Sequence, residues 1–232
     1  MIDGISQRLL DQTHPLRIHL LGVAGSGMSG IAALLLEMGH DVSGSDRVTS
    51  GEIERLQGLG LKFSSPHSAA AVSGVDAVVY SSAIKPDNVA LVEARRIEVP
   101  CLRRAECLSA ILHTRKGVLV AGTHGKTTTS AMCAHVLNNA GAAVSHYVGA
   151  EIPVLGANAH WDEGSEYLVA EGDESDGTLD LYRPAYAVVL NIEEEHLDYY
   201  KGLQQIVGVF RTLLEQTSGK AIYCREDSTA YE

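Results

Sequence analysis

Residues 117–129, GVLVAGTHGKTTT, decide how this chain folds. The apolar run Gly117 to Ala121 reads as a buried strand. Gly122-Thr123-His124-Gly125 reads as a tight turn, and Lys126 opens a helix that continues through SAMCAHVLNNA. A strand, a glycine turn and then Gly-Lys-Thr at a helix start is the arrangement in which backbone N–H groups cradle a phosphate chain. The strict eight-residue pattern is not met, because the position five before Gly125 is Val120. The functional end is intact: Lys126 is placed to neutralise β and γ oxygens and Thr127 to offer its hydroxyl to Mg²⁺. A run of β-branched threonines is a poor helix interior, so a purely structural origin for Thr127-Thr128-Thr129 is costly. The expected ATP-binding residues are Gly122, Thr123, His124, Gly125, Lys126, Thr127 and Thr128.

Working outward, a second glycine turn lies upstream. Arg17 to Val23 (RIHLLGV) reads as a buried strand, and Gly25-Ser26-Gly27-Met28-Ser29-Gly30 fits GxGxxG before a helix over Met28–Met38. Asp46 ends the next strand, Asp41–Ser45, about where an acidic residue reaches a ribose hydroxyl. Ser82 follows the strand Asp76–Tyr80, at the strand end where α/β sheets gather ligands. Helices over 51–59, 88–95 and 104–113 complete an open parallel sheet. After the second loop come strands over 143–147, 167–170 and 185–190 and a helix over Leu203–Glu215, again α/β. The expected fold is therefore a Rossmann-like open sheet over 1–107 followed by a P-loop-type α/β unit over 108–232.

Two further strand ends carry charge. Tyr167-Leu168-Val169-Ala170-Glu171 puts a carboxylate where a P-loop sheet faces its phosphates, so Glu171 is a candidate for Mg²⁺ coordination. The acidic residues after it, Asp173, Glu174 and Asp176, read as a solvated turn. His196, after the strand Ala187–Leu190, would lie near Glu171 beside the loop; one His with one carboxylate is a poor zinc set but suits a Mg²⁺ held mainly by phosphate oxygens.

Composition sets the outer bounds. Eighteen Lys and Arg against 29 Asp and Glu give a net charge of −11, which argues against binding nucleic acid through its backbone. No run nears the roughly 18 apolar residues of a membrane span, and the start, MIDGISQRLLDQTHPLR, is too polar for a signal peptide; both point to the cytosol and away from membranes. Cys101, Cys107, Cys133 and Cys224 show no CxxC spacing and read as reduced packing residues.

Five stretches together, IHLLGVAGSGMSGIA, VSGSD, GTHGKTTT, YLVAEGDESDGT and NIEEEHLDYY, resemble the Mur ligase family in order and spacing from about residue 17 to the end. The resemblance implies a UDP-binding first domain, a central ATPase domain and a C-terminal domain that helps bind an amino acid. It implies ATP-dependent joining of L-alanine to UDP-N-acetylmuramate through an acyl phosphate, in peptidoglycan synthesis. On this chain the UDP-sugar site would comprise Gly25, Ser26, Gly27, Met28, Ser29, Asp46, Ser82 and His124. Lys126, Glu171 and His196 would be catalytic, and Thr127, Glu171 and His196 would hold Mg²⁺. Two departures keep their charge: Glu171-Gly172-Asp173 stands for the family's EAD, and Glu195 for an aspartate before the histidine. A third is the end at Glu232, which leaves out the family's C-terminal domain, so the chain alone is expected not to turn over. A ligase attaching a ready-made muropeptide, a non-catalytic UDP-sugar module and an NAD-dependent oxidoreductase are the alternatives; the last leaves GTHGKT without a job.

Overall fold

The computed structural model describes residues 8–9 and 14–231, so most of the polar opening stretch lies outside the described residues. Two compact units form, one from the chain up to Ala110 together with Ala159–Glu163, the other from Ile111–Asn158 and Gly164 onward.

The first unit is a five-stranded parallel sheet in the order β3-β2-β1-β4-β5. Its strands are β1 (Arg17–Leu21), β2 (Asp41–Ser45), β3 (Lys62–Ser64), β4 (Ala77–Tyr80) and β5 (Cys101–Arg103). Its helices are α1 (Ser26–Glu37), α2 (Gly51–Gly58), α3 (Val89–Arg96) and α4 (Arg104–Leu112), which runs two residues past Ala110. Ile18 to Leu21 are all buried, as a central parallel strand covered on both faces requires. Every residue of α1 from Met28 to Leu35 is buried too, so this helix has no polar face and packs as part of the core. Strand order reverses between β1 and β4, and the chain leaves β1 into the glycine loop and β4 into Ser81. That reversal opens a crevice at the carboxyl ends of the strands.

The second unit repeats the scheme with parallel strands in the order β11-β10-β6-β9-β7. These are β6 (Lys116–Ala121), β7 (Val144–Tyr147), β9 (Tyr167–Glu171), β10 (Tyr186–Val189) and β11 (Lys220–Tyr223); the two-residue β8 (Ala159–His160) groups with the first unit. The helices are α5 (Lys126–Asn139), α6 (Leu203–Glu215) and α7 (Ser228–Tyr231). Here the reversal falls at β6, flanked by β9 and β10. Val120 pairs with Glu171 and Ala121 with Val189, so the phosphate-type loop, Glu171 and the loop after β10 share one sheet end.

Strands β3, β5 and β11 escape a reading of periodicity because they have only three or four residues, and every residue of β11 is exposed. One cysteine corrects expectation. Cys107 is buried and its thiol is pushed up to about 12 by burial, but Cys224 is exposed.

His19 makes the first unit acid-sensitive. It sits buried in β1 with Nδ1 2.8 Å from Ser43 Oγ and Nε2 3.0 Å from Ser45 Oγ, while Ser45 Oγ lies 2.8 Å from Nδ1 of His67. Burial, and secondarily the charge of His67, lowers its pKa from 6.5 to about 4. The folded state keeps the imidazole neutral while the unfolded chain protonates near 6.5. The stability this group contributes is thus full above pH 6.5 and lost as pH falls to about 4, roughly 3 kcal/mol in all. The melting temperature of the chain should fall across that window, and His19→Gln should flatten the fall. A ring proton of His19 titrating near 6.5 by NMR would contradict this.

Candidate active site

In the second unit the loop is shaped by two glycines that no other residue replaces without strain. Gly122 has φ 141 and Gly125 φ 83, and a Cβ on Gly122 would stand 3.0–3.2 Å from Leu190 and Asn191. Asn191, the second residue after β10, brackets the loop. Its carbonyl accepts from Thr123 N–H at 3.1 Å, its side-chain Oδ1 from His124 N–H at 2.7 Å, and its Nδ2 donates to His124 O at 3.1 Å. Thr123 Oγ1 accepts from Glu193 N–H at 2.9 Å. The stretch NIEEEH therefore fixes the glycine loop through its first and third residues. Asn191 stands inside a motif visible in the sequence, yet its role became readable only from these bonds.

Lys126 folds back over its own turn, donating to Gly122 O at 2.7 Å and Thr123 O at 3.1 Å, and its Nζ lies 2.9 Å from a carboxylate oxygen of Glu174. Glu174 is 2% exposed, which corrects its reading as part of a solvated turn. Its other neighbour is His196, Nε2 to Oε1 3.4 Å, and its backbone carbonyl accepts from the Tyr200 hydroxyl. His196 adopts φ 55, a left-handed conformation costing about 1 kcal/mol outside glycine; its carbonyl accepts from both Tyr199 and Tyr200 N–H, which hold the turn.

Thr127 Oγ1 donates to Glu171 Oε2 at 2.9 Å, and Gly149 N–H donates to the same oxygen at 2.8 Å. Of the expected metal set, Thr127 and Glu171 are thus brought together, while His196 is engaged with Glu174. Among the described residues no group of three or more His, Cys, Asp or Glu could hold a metal. One hydroxyl and one carboxylate at a helix N-terminus fit a Mg²⁺ whose remaining ligands are phosphate oxygens and water. Thr128 is exposed, and His124 is exposed with Nε2 3.6 Å from both Glu193 and Glu195.

In the first unit a cavity of about 690 Å³ opens at the reversal of strand order, lined among others by Gly22, Gly25, Asp46, His67, Ser81 and Ile84. Asp46 ties this rim together: Oδ2 accepts from Ala24 N–H at 2.9 Å and Oδ1 from Arg47 and Val48 N–H at 2.6 and 3.3 Å. Its carboxylate joins the glycine loop to the end of β2. Ser26 and Gly27 open α1, and the side chains of Met28 and Ser29 are buried. After β4 it is Ser81, next to the strand end, that lines the cavity, and Ser82 is exposed without lining it.

Comparison with known proteins follows this division. Residues 17–116 match the profile described as the Mur ligase family, catalytic domain, and residues 120–232 that of the Mur ligase middle domain. A UDP-N-acetylmuramate--L-alanine ligase of Desulforamulus reducens is 43% identical over 220 residues, 93% of this chain and 47% of that protein. One of Anaeromyxobacter dehalogenans is 48% identical over 185 residues, 80% of this chain and 40% of that protein. The chain spans about half the length of the curated relatives it matches. Among solved structures, the UDP-N-acetylmuramate-alanine ligase MurC of Thermotoga maritima superposes with TM-score 0.84 at 30% identity, over 92% of this chain and 50% of that one. The UDP-N-acetylmuramate:L-alanyl-gamma-D-glutamyl-meso-diaminopimelate ligase of Neisseria meningitides does so with TM-score 0.85 at 28% identity, over 93% of this chain and 73% of that one. Both halves of the chain, each with its own glycine loop, match in the family's order, and the chain belongs to the Mur ligase family.

Proposed function

We propose that this chain is the nucleotide-binding portion of an ATP-dependent ligase that joins L-alanine to UDP-N-acetylmuramate in the cytoplasm, at a step of peptidoglycan synthesis. The observation that carries the reading is the convergence of Gly122, Gly125, Lys126, Thr127 and Glu171 at the strand-order reversal of the second sheet. In this reading residues 1–107 hold the UDP sugar and residues 108–232 hold Mg²⁺ and ATP.

ATP, when bound with Mg²⁺, would supply the phosphoryl group that converts the lactyl carboxylate of the sugar into an acyl phosphate with release of ADP; the alanine amine then attacks the acyl carbon and expels inorganic phosphate, leaving the amide. The protein's part is positioning and charge. The amides of the Gly122–Lys126 turn line the phosphate path, and Lys126 offsets the charge that builds on the transferring group. Thr127 and Glu171 present their oxygens as metal ligands, kept in register by Gly149 N–H. His124 stands at the exposed edge of the loop with Glu193 and Glu195, where a substrate carboxylate can approach it. Around the first cavity, backbone groups of Gly22 and Gly25 allow close approach of a diphosphate, and His67 and Asp46 face the sugar nucleotide.

A ligase that transfers a ready-made peptide to the same sugar is the second reading, favoured by the fold match to the Neisseria protein. Relatives at 42–43% identity carry the alanine-ligase name, against 28% for that structure. Calorimetric titration of the chain with UDP-N-acetylmuramate, UDP and NAD tests the assignment of the first unit. Binding of both UDP compounds and none of NAD is expected, whereas tight NAD binding without a response to UDP would overturn it.

A further inference from the structure

Glu174 is a buried acid that the proposed chemistry does not use. An ammonium group has three N–H donors. Those of Lys126 meet three acceptors, Gly122 O, Thr123 O and Glu174 Oε1 at 3.0 Å, while Glu174 Oε2 stands 2.9 Å from the ammonium as its ion-pair partner without a hydrogen bond of its own. Every donor of the loop lysine is therefore committed inside the protein. A phosphate oxygen can gain Lys126 only by displacing one of these acceptors. The two carbonyls belong to the turn itself and are fixed by Gly122 and by the Thr123 bonds to Asn191 and Glu193. The carboxylate is the acceptor that carries charge and can be exchanged for a charged one.

Glu174 can release the lysine without becoming an orphan. Its side chain is 2% exposed against 16% for Lys126, so the lysine is the partner nearer to solvent. The carboxylate keeps His196 at 3.4 Å, and its backbone is pinned by the Tyr200 hydroxyl, so it stays in place while the lysine swings. A buried carboxylate stripped of every partner would be strongly unfavourable, and His196 is the side chain that stays beside it.

We propose that Glu174 is a positioning residue, a built-in counter-ion that holds Lys126 on its own loop and hands it to an incoming polyphosphate. The inference rests on the nucleotide reading of the second unit. It assigns to Glu174 a competition with phosphate for one cation, so Glu174 sets the affinity of the loop and holds Lys126 in a single arrangement.

Calorimetry of the 232-residue chain with magnesium tripolyphosphate, for the parent, Glu174→Gln and Glu174→Asp, tests it. Gln keeps the shape and an acceptor oxygen but removes the charge, so E174Q should bind the probe about three- to tenfold more tightly, since the ammonium loses the opposite charge that competes with phosphate for it. E174D withdraws the carboxylate by one methylene and should bind more tightly than the parent, by less. In thermal melts without ligand E174Q should lie below the parent and gain more from the probe. Lys126→Met should also lie below it, and the double variant above K126M. Absence of binding in the parent would overturn the nucleotide reading and this inference with it. Parent binding that E174Q and E174D leave unchanged or weaken would overturn the inference alone.

Discussion

Replacing Lys126 by alanine should weaken binding of Mg·ATP to the second unit by about 100-fold and leave UDP-N-acetylmuramate binding to the first unit unchanged. The binding loss follows from removing one or two charge-assisted hydrogen bonds to phosphate, each worth about 1.5–3 kcal/mol. The same substitution should lower the stability of the second unit. It leaves the carboxylate of Glu174, 2% exposed, with His196 as its remaining side-chain partner. Breaking one side of a buried ion pair costs about 3–5 kcal/mol, and the histidine moderates this toward the lower figure. Calorimetry with each ligand and a thermal melt check both halves. Unaltered Mg·ATP affinity in K126A would remove the loop from the nucleotide site, and unaltered melting would show that the ion pair contributes nothing.

Gly149→Ala should be almost as damaging, at a position with no chemistry of its own. A Cβ there would stand 2.7 Å from Glu171 Oε2 and 3.0 Å from Oε1, so the carboxylate must leave its place between Thr127 Oγ1 and Gly149 N–H. No left-handed backbone is involved; the restriction is the closeness of the carboxylate. The strain should cost about 1–3 kcal/mol in stability. The functional loss should be specific to the metal: the gain in nucleotide affinity on adding Mg²⁺ should shrink at least tenfold, on the order of 1.4 kcal/mol, while metal-free binding stays near the parent. Calorimetry of ATP with and without Mg²⁺ measures this. An unchanged gain would detach Glu171 from the metal.

The sequence was most readable where a function is local. A strand, a glycine turn and a helix start are contiguous, so both glycine loops, Lys126 and Thr127 could be placed from residue types alone. Glu171 followed because a carboxylate ending an apolar strand is unusual. What escaped is made by distant segments. Glu174 looks like its acidic neighbours Asp173 and Asp176; its burial is created by Lys126 and by His196 and Tyr200 of the loop after β10. Gly149 matters through a missing side chain opposite a residue 22 positions away, and no composition signal reports that. A strand end points to its neighbourhood and not to one serine: Ser81 lines the first cavity and Ser82 beside it is exposed. The position of Asp46 after a strand points to a ribose contact but gives no sign of the bonds it makes to three backbone amides at the cavity rim.

In the proposed function these two nucleotide units serve an amide ligase working through an acyl phosphate. The most direct test of that function uses a protein carrying this chain at the length of its curated relatives, incubated with UDP-N-acetylmuramate, Mg²⁺ and ATP without amino acid, then treated with hydroxylamine. A hydroxamate of the lactyl group should form with release of ADP and phosphate, and should be lost in Lys126→Ala. Hydroxamate formed with AMP and pyrophosphate instead, or none at all while the parent still makes the alanine amide, would contradict that function.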